Sequence, residues 1–140
     1  MRLVLDTNAL VAALRSPSGA SAEILRLARR GKVQLLASAA LAMEYEAVCL
    51  RSQHLMAAGL EPADVGMFLN AVIDLVEPVE IWFLWRPQLR DPGDELVLEA
   101  AVNGRAAAIV TFNRRDFTPA GERFGLELLT PRDLLTRIQS

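Results

Sequence analysis

The chain has 140 residues, of which 52% are hydrophobic and 23% charged, and its net charge is −2. This length suits a single domain with its own core, and no stretch approaches the about 20 apolar residues of a membrane span. Its one cysteine, Cys49, excludes an internal disulfide and a cysteine-based metal cage. We expect one cytoplasmic domain over residues 1–140, with no N-terminal signal peptide.

Strands and helices alternate along the sequence. The predicted strands are, in order, LVLD, VQLLA, PVEIWFL, AAIVTF and LELLT. The predicted helices are TNALVAAL, AEILRLARRG, AALAMEYEAVCLRSQHL, EPADVGMFLNAVIDLV, ELVLEAAVNG and a C-terminal helix capped by Thr130. This alternation predicts a three-layer α/β/α fold with a central, mostly parallel sheet of four to five strands.

Acids and amides follow the ends of several predicted strands, either directly or in the next helix. The group comprises Asp6, Asn8, Glu44, Asp91, Asp94, Thr111, Asn113 and Asp116. In open parallel sheets, ligands bind beyond the carboxyl ends of the strands. We therefore expect these side chains to meet at one edge of the sheet.

Such a cluster needs a compensating charge. Two carboxylates about 4 Å apart repel by roughly 4 kcal/mol at an effective dielectric constant near 20, which is large beside a domain stability of about 5–15 kcal/mol. Protonation or a divalent cation would relieve the repulsion. Oxygen ligands without a cysteine pair or a histidine pair favour Mg²⁺ or Mn²⁺, and these ions act on phosphates.

Each acid also has a purely structural interpretation. Asp6 could cap the helix that follows it, and Glu44 could lie on a solvated helix face. Asp91 and Asp94 flank a Pro-Gly pair, which is typical of a turn and a helix cap. Asp116 could cap a local turn. The metal-site hypothesis therefore depends on the acids meeting in space.

Four motifs in order along nearly the whole chain, LDTNAL, SAALAMEYEAVCLR, DPGDELVLEAA and VTFNRRDF, resemble the PIN domain family, in its VapC-like branch of toxin ribonucleases. The resemblance implies an endoribonuclease that uses Mg²⁺ or Mn²⁺ to hydrolyse RNA phosphodiester bonds, acting as the toxin of a toxin–antitoxin pair. It also implies a homodimer and a cognate antitoxin protein. The implied catalytic and metal-binding residues are Asp6, Glu44, Asp94 and Asp116, supported by Asn8, Thr111, Asn113 and Asp91.

Asn113 departs from the family pattern, because many members carry an aspartate there. This leaves an alternative open, a non-catalytic PIN-like module that binds RNA or protein. Phosphotransfer receivers and haloacid dehalogenase phosphatases also carry an acid at a strand tip. The phosphatases need an aspartate where this chain has Asn8, and the receivers need a lysine late in the chain, whereas the single lysine is Lys32.

The basic residues other than Lys32 are all arginines. Genomic composition can explain this, and so can phosphate binding by planar guanidinium groups. The candidates for RNA contact are the arginines in the same loops as the acids, namely Arg86, Arg90, Arg114 and Arg115.

Three further predictions concern single residues and one aromatic segment. His54 is predicted on the surface, near the end of a long helix, and Cys49 in the core. In the third strand, Trp82 and Leu84 would face away from Phe83 and Trp85. Each pair would then pack under helices, or the segment would form a dimer or partner surface.

Overall fold

A computed structural model describes residues 1–83 and 88–139. Its centre is a five-stranded sheet in the order β3-β2-β1-β4-β5, and every neighbouring pair of strands is parallel. The strands are β1 (Arg2–Leu5), β2 (Gln34–Ala37), β3 (Val76–Pro78), β4 (Ala108–Val110) and β5 (Glu127–Leu129). Eight helices within the described ranges flank the sheet, which confirms the three-layer prediction.

One to three helices follow each strand. They are α1 (Thr7–Arg15), α2 (Ala20–Arg29), α3 (Ala39–Cys49), α4 (Ser52–Ala58), α5 (Pro62–Leu75), α6 (Pro92–Asn103), α7 (Arg114–Phe124) and α8 (Pro131–Gln139). None of the helices in the described part of the chain has both the length and the apolar character needed to cross a bilayer.

The strand order reverses direction at the centre of the sheet. From β1 the chain moves outward to β2 and β3, then crosses to β4 and β5 on the other side. Because crossovers in parallel sheets are right-handed, the two directions put helices on opposite faces. Contacts agree with this, since α1 and α8 both pack against α2, whereas α6 packs against α7. The switch point therefore lies between β1 and β4, where parallel sheets bind ligands.

The central strands are buried, as their apolar runs predict. Leu3, Val4 and Ile109 have no exposed surface. Phe117 and Leu134 are equally buried and belong to the same core. Cys49 is also fully buried, as predicted.

The third strand lies earlier in the sequence than predicted. It covers Val76–Pro78, not residues 78–84, and Pro78 pairs with Ala37. Strand β2 ends there, because Ser38 accepts a hydrogen bond from the Leu41 amide and caps α3. An edge strand has one neighbour, so the ladder stops where that neighbour stops.

The aromatic segment consequently does not alternate between two buried faces. Trp82 and Phe83 are 75% and 60% exposed. Their backbone amides both donate to Oδ1 of Asn103, at 3.0 and 2.9 Å. The predictions for Leu84 and Trp85 fall outside the described residues.

The long helix predicted over residues 39–55 is two helices. It breaks at Arg51, whose φ and ψ of −61° and 136° are extended. No glycine or proline marks this break, so local propensity does not explain it. The break turns α4 onto α1, and Leu55 packs against the core. Tertiary packing thus overrides a continuous helical pattern.

Candidate active site

Asp6 lies at the carboxyl end of β1, and its side chain is 5% exposed. Its backbone amide donates to the Val110 carbonyl at 2.8 Å, and Thr111 donates its hydroxyl to Oδ2 of Asp6 at 2.6 Å. Burial raises the pKa of Asp6, and the hydrogen bonds from Thr111 and Thr7 oppose the rise. Asp6 stands at the N-cap position of α1, but its side chain accepts no capping hydrogen bond. Helix capping therefore does not account for this acid.

Thr111 orders the end of β4 as well as Asp6. It is fully buried, and its Oγ1 also accepts a hydrogen bond from the Asn113 amide at 2.9 Å. Asn113 is the exposed N-cap residue of α7. Asn8 makes a weaker link to this loop, accepting from the Phe112 amide at 3.5 Å. The Thr111 hydroxyl thus connects the ends of β1 and β4 at the switch point.

Glu44 lies in α3, and the next residue, Tyr45, connects this helix to β1. Tyr45 donates its buried hydroxyl to the Leu5 carbonyl at 2.5 Å. Burial, with a contribution from the Asp6 charge, raises the pKa of Tyr45. The phenol therefore stays protonated and keeps the hydrogen bond. Leu5 precedes Asp6 and Tyr45 follows Glu44, so this bond joins the backbones beside the two acids.

The start of α6 brings two more acids to the same region. Asp91 is the N-cap and accepts a hydrogen bond from the Gly93 amide at 2.7 Å. A β-carbon built on Gly93 would lie 3.1 Å from Oδ1 of Asp91 and 3.4 Å from Oε1 of Glu44. The absent side chain at Gly93 therefore leaves room for two carboxylates. The structural role predicted for Asp91 is real, and it coexists with a position in the cluster.

Asp94 has the strongest electrostatic perturbation among these acids. Burial, and then the charges of Asp6, Asp91 and Asp116, raise its pKa to about 7. A further buried acid supports the segment before α6, since Glu95 accepts hydrogen bonds from the amides of Gln88 and Leu89, at 2.6 and 2.8 Å. Neighbouring carboxylates thus add to the effect of burial on the pKa of Asp94, in the direction that the sequence led us to expect.

Two adjoining cavities share the acids of α6. The larger, about 550 Å³, is bordered by all but two of the predicted site acids and polar groups, namely Asp6, Asn8, Glu44, Asp91, Asp94 and Asn113. The second, about 520 Å³, again contains Asp91 and Asp94 and adds Asp116. Asp116 therefore approaches the cluster from α7, on the other side of α6. Thr111 lies beneath the larger cavity, bonded to Asp6.

The predicted RNA-binding arginines separate into three cases. Arg90 and Arg115 border the second cavity. Arg114 lies 3.4 Å from a carboxylate oxygen of Asp133, in an exposed ion pair. Arg86 is outside the described residues.

The donor chemistry of the cluster fits Mg²⁺ or Mn²⁺. Carboxylate oxygens are the ligands of hard cations. Burial, and then the charges of neighbouring carboxylates, raise the pKa values of Asp6 and Asp94. Within residues 1–83 and 88–139, however, no three acidic, histidine or cysteine side chains are close enough to hold an ion as they stand. A cation would have to draw the carboxylates together.

Three basic residues of the larger cavity were not anticipated from the sequence as part of the site. Arg15, Arg51 and His54 line this cavity together with the acids. The prediction that His54 is on the surface is wrong, because its side chain is 9% exposed. The break before α4 turns it inward. Helical spacing could have revealed the arginines, since Arg15 lies seven residues after Asn8 and Arg51 seven after Glu44.

An all-parallel sheet with an acid-lined cavity at its switch point defines an α/β protein with a ligand site at the strand ends. The chain belongs to the PIN domain family, whose model matches residues 2–115. A search of curated proteins found no match.

Among solved structures, the fold is similar to that of a chain in the crystal structure of VapBC2 from Rickettsia felis bound to a DNA fragment from their promoter. The TM-score is 0.64 at 17% sequence identity, and the match covers 93% of this chain and 98% of that chain. At this identity the likeness establishes the fold.

Proposed function

We propose that this PIN domain is a metal-dependent endoribonuclease that hydrolyses RNA phosphodiester bonds. One observation carries the proposal: Asp6, Glu44 and Asp94 border a single cavity although they come from three separate segments of the chain. Burial, and then the charges of neighbouring carboxylates, raise the pKa of Asp94. A bound dication would relieve the repulsion among these carboxylates, which supports the proposal.

In the proposed site, Asp6, Glu44 and Asp94 hold the cation, and Asp116 completes the acidic set from the second cavity. Thr111 keeps Asp6 oriented through its hydroxyl. A bound Mg²⁺ or Mn²⁺ would activate a water for in-line attack and stabilise the charge on the scissile phosphate. Asn113, Asn8 and Asp91 offer further polar groups around the substrate. Arg90 and Arg115 contribute positive charge for RNA on the side of the second cavity.

Asp6→Asn tests this assignment. The amide keeps the shape of the carboxylate and an oxygen that can accept from Thr111, so the fold should persist. Purified wild type should cleave single-stranded RNA with Mn²⁺ and not with EDTA, whereas Asp6→Asn should be inactive. Asp74→Asn, an exposed acid of α5, is the matched control and should retain full activity. Cleavage by Asp6→Asn at the wild-type rate would reject the site.

The proposed biological role is that of a cytoplasmic toxin restrained by a cognate antitoxin protein. The similar fold of a VapBC2 chain and the PIN family membership support this role. A homodimer is also proposed. The exposed Trp82 and Phe83 support a protein interface, because aromatic side chains anchor such surfaces. Size-exclusion chromatography coupled to light scattering should show a dimer, and Trp82→Ala should weaken it if this segment forms the interface.

A non-catalytic PIN-like module that binds RNA or protein is the second candidate, and Asn113 favours it. Thermal unfolding with added Mn²⁺ separates the two. A working site should be stabilised by about 2.7 kcal/mol at a metal concentration of about 100 times Kd, and EDTA should reverse the effect. A melting temperature that does not change when Mn²⁺ is added would favour the binding module.

A further inference from the structure

The larger cavity is a groove with an acidic end and a basic end. Along α1 its lining residues after Thr7 are Asn8, Val11, Ala12 and Arg15, a single helical stripe. Both α1 and α3 begin at the carboxyl edge of the sheet and run away from it. Each helix therefore leads from the acid cluster to an arginine, Arg15 in one case and Arg51, just beyond α3, in the other.

Both arginines at the basic end are exposed. Among the described residues, neither makes a salt bridge or a side-chain hydrogen bond, although four carboxylates border the same groove. The arginines of surface ion pairs elsewhere behave differently, as when Arg26 and Arg30 both bind Glu23. Two guanidinium groups are therefore left available for an external anion.

His54 adds a second, independent observation at the same end. Its Nδ1 is buried and has no hydrogen-bond partner among the described residues. Its Nε2 lies 3.5 Å from the side-chain nitrogen of Gln53. If that amide donates, Nε2 is the acceptor and the ring proton is on Nδ1. Burial, and then the positive charges of Arg15 and Arg51, lower the pKa of His54. All three residues line the same cavity.

We propose that Arg15, Arg51 and His54 form a binding subsite for a backbone phosphate of single-stranded RNA, at a distance from the phosphate that reacts. The inference rests on the proposed ribonuclease function and adds the path of the substrate. Nine residues of helical rise separate Asp6 from Arg15, or about 13 Å. The basic end is therefore placed to bind a phosphate further along the RNA than the phosphate at the acidic end.

The geometry also gives the RNA a direction across the molecule. The two cavities meet at Asp91 and Asp94, and the second has its own arginines, Arg90 and Arg115. An RNA strand that enters at Arg15 and Arg51 can pass the acids and leave between Arg90 and Arg115. Each arginine pair then lies on one side of the acid cluster. This arrangement explains how an anionic site on an acidic protein can attract a polyanion.

Fluorescence anisotropy with a short, labelled, mixed-sequence single-stranded RNA tests the subsite, with Ca²⁺ present and RNA integrity checked on gels. Arg15→Gln/Arg51→Gln should weaken binding about tenfold at low salt. The slope of log K against log salt should become shallower by about 1.4, or 0.7 for each lost contact. Arg29→Gln/Arg132→Gln, an exposed pair outside both cavities, changes the net charge equally and should bind as wild type does.

The outcomes separate this inference from the proposed function. Weak binding confined to the Arg15/Arg51 variant supports the subsite, even if wild type fails to cleave RNA with Mn²⁺. Equal binding by both double variants overturns it, and the basic end would then suit an acidic segment of a protein partner. Failure of wild type to bind the RNA overturns it as well. In an active enzyme the Arg15/Arg51 variant should raise KM and leave kcat unchanged.

Discussion

Replacing Asp94 by asparagine should stabilise the metal-free protein at alkaline pH. The carboxyl has a pKa of about 7 in the fold against 3.8 in the unfolded chain. The folded state therefore binds more protons, and stability falls as pH rises from about 4 to about 7. Asp94→Asn carries no charge at any pH and avoids this loss.

The size of the gain follows from the pKa shift. At 1.36 kcal/mol per pKa unit, the shift sets an upper bound of about 4 kcal/mol. Asp94 is partly exposed, so solvent screening reduces this to about 1–2 kcal/mol. Asp94 also lies in the first turn of α6, where a negative charge contributes about 0.3–1 kcal/mol. The net gain near pH 8 should be about 1 kcal/mol.

Urea unfolding of EDTA-treated protein measures this gain at about pH 8 and about pH 5. The advantage of Asp94→Asn over wild type should be larger at the higher pH. Added Mn²⁺ should stabilise wild type more than Asp94→Asn. An Asp94→Asn variant that is less stable than wild type near pH 8, or whose gain is equal at both pH values, would contradict a raised pKa at Asp94.

Two further substitutions probe the frame of the site. Thr111→Val should lower the free energy of unfolding by about 1.5–3 kcal/mol near neutral pH, because Asp6 loses a buried hydrogen bond. Thr111→Ser keeps the hydroxyl and should lower the free energy of unfolding by less. Equal losses of stability in the two variants would contradict this role for the hydroxyl. Gly104→Ala should destabilise by about 1–3 kcal/mol, because its β-carbon would lie 2.8 Å from both Val79 Cγ2 and the Ala100 carbonyl. Gly66→Ala, in a helix with nothing within 4 Å, should instead be stabilising, and a similar sign for both would exclude overpacking.

Local chemistry made much of the fold predictable. Ser38 caps α3 through a hydrogen bond to the Leu41 amide, as its position before a helical pattern indicates. Thr130 and Asp133 likewise exchange hydrogen bonds at the start of α8. The apolar runs of the central strands predicted a buried parallel sheet, and these runs are buried on both faces.

The sequence-based predictions were wrong where tertiary contacts determine the ends of an element or the burial of a side chain. The third strand stops where its neighbour β2 ends, and that limit is not visible in the segment PVEIWFL. The bend at Arg51 has no breaker in the sequence and depends on packing against α1. The convergence of Asp6, Glu44 and Asp94 could be anticipated from strand ends, but the basic end of the groove depends on the inward turn of His54.

The hydrogen bond from Tyr45 to Leu5 has a consequence for the relation between scaffold and chemistry. It uses a phenol and a main-chain carbonyl, so neither Asp6 nor Glu44 takes part in setting the interval between the segments that bear them. The residues that hold α3 against β1 are therefore different from the acids that line the cavity. A related protein with other residues in place of both acids would keep the same spacing between α3 and β1. Its cavity would have a similar shape but could bind a different ligand.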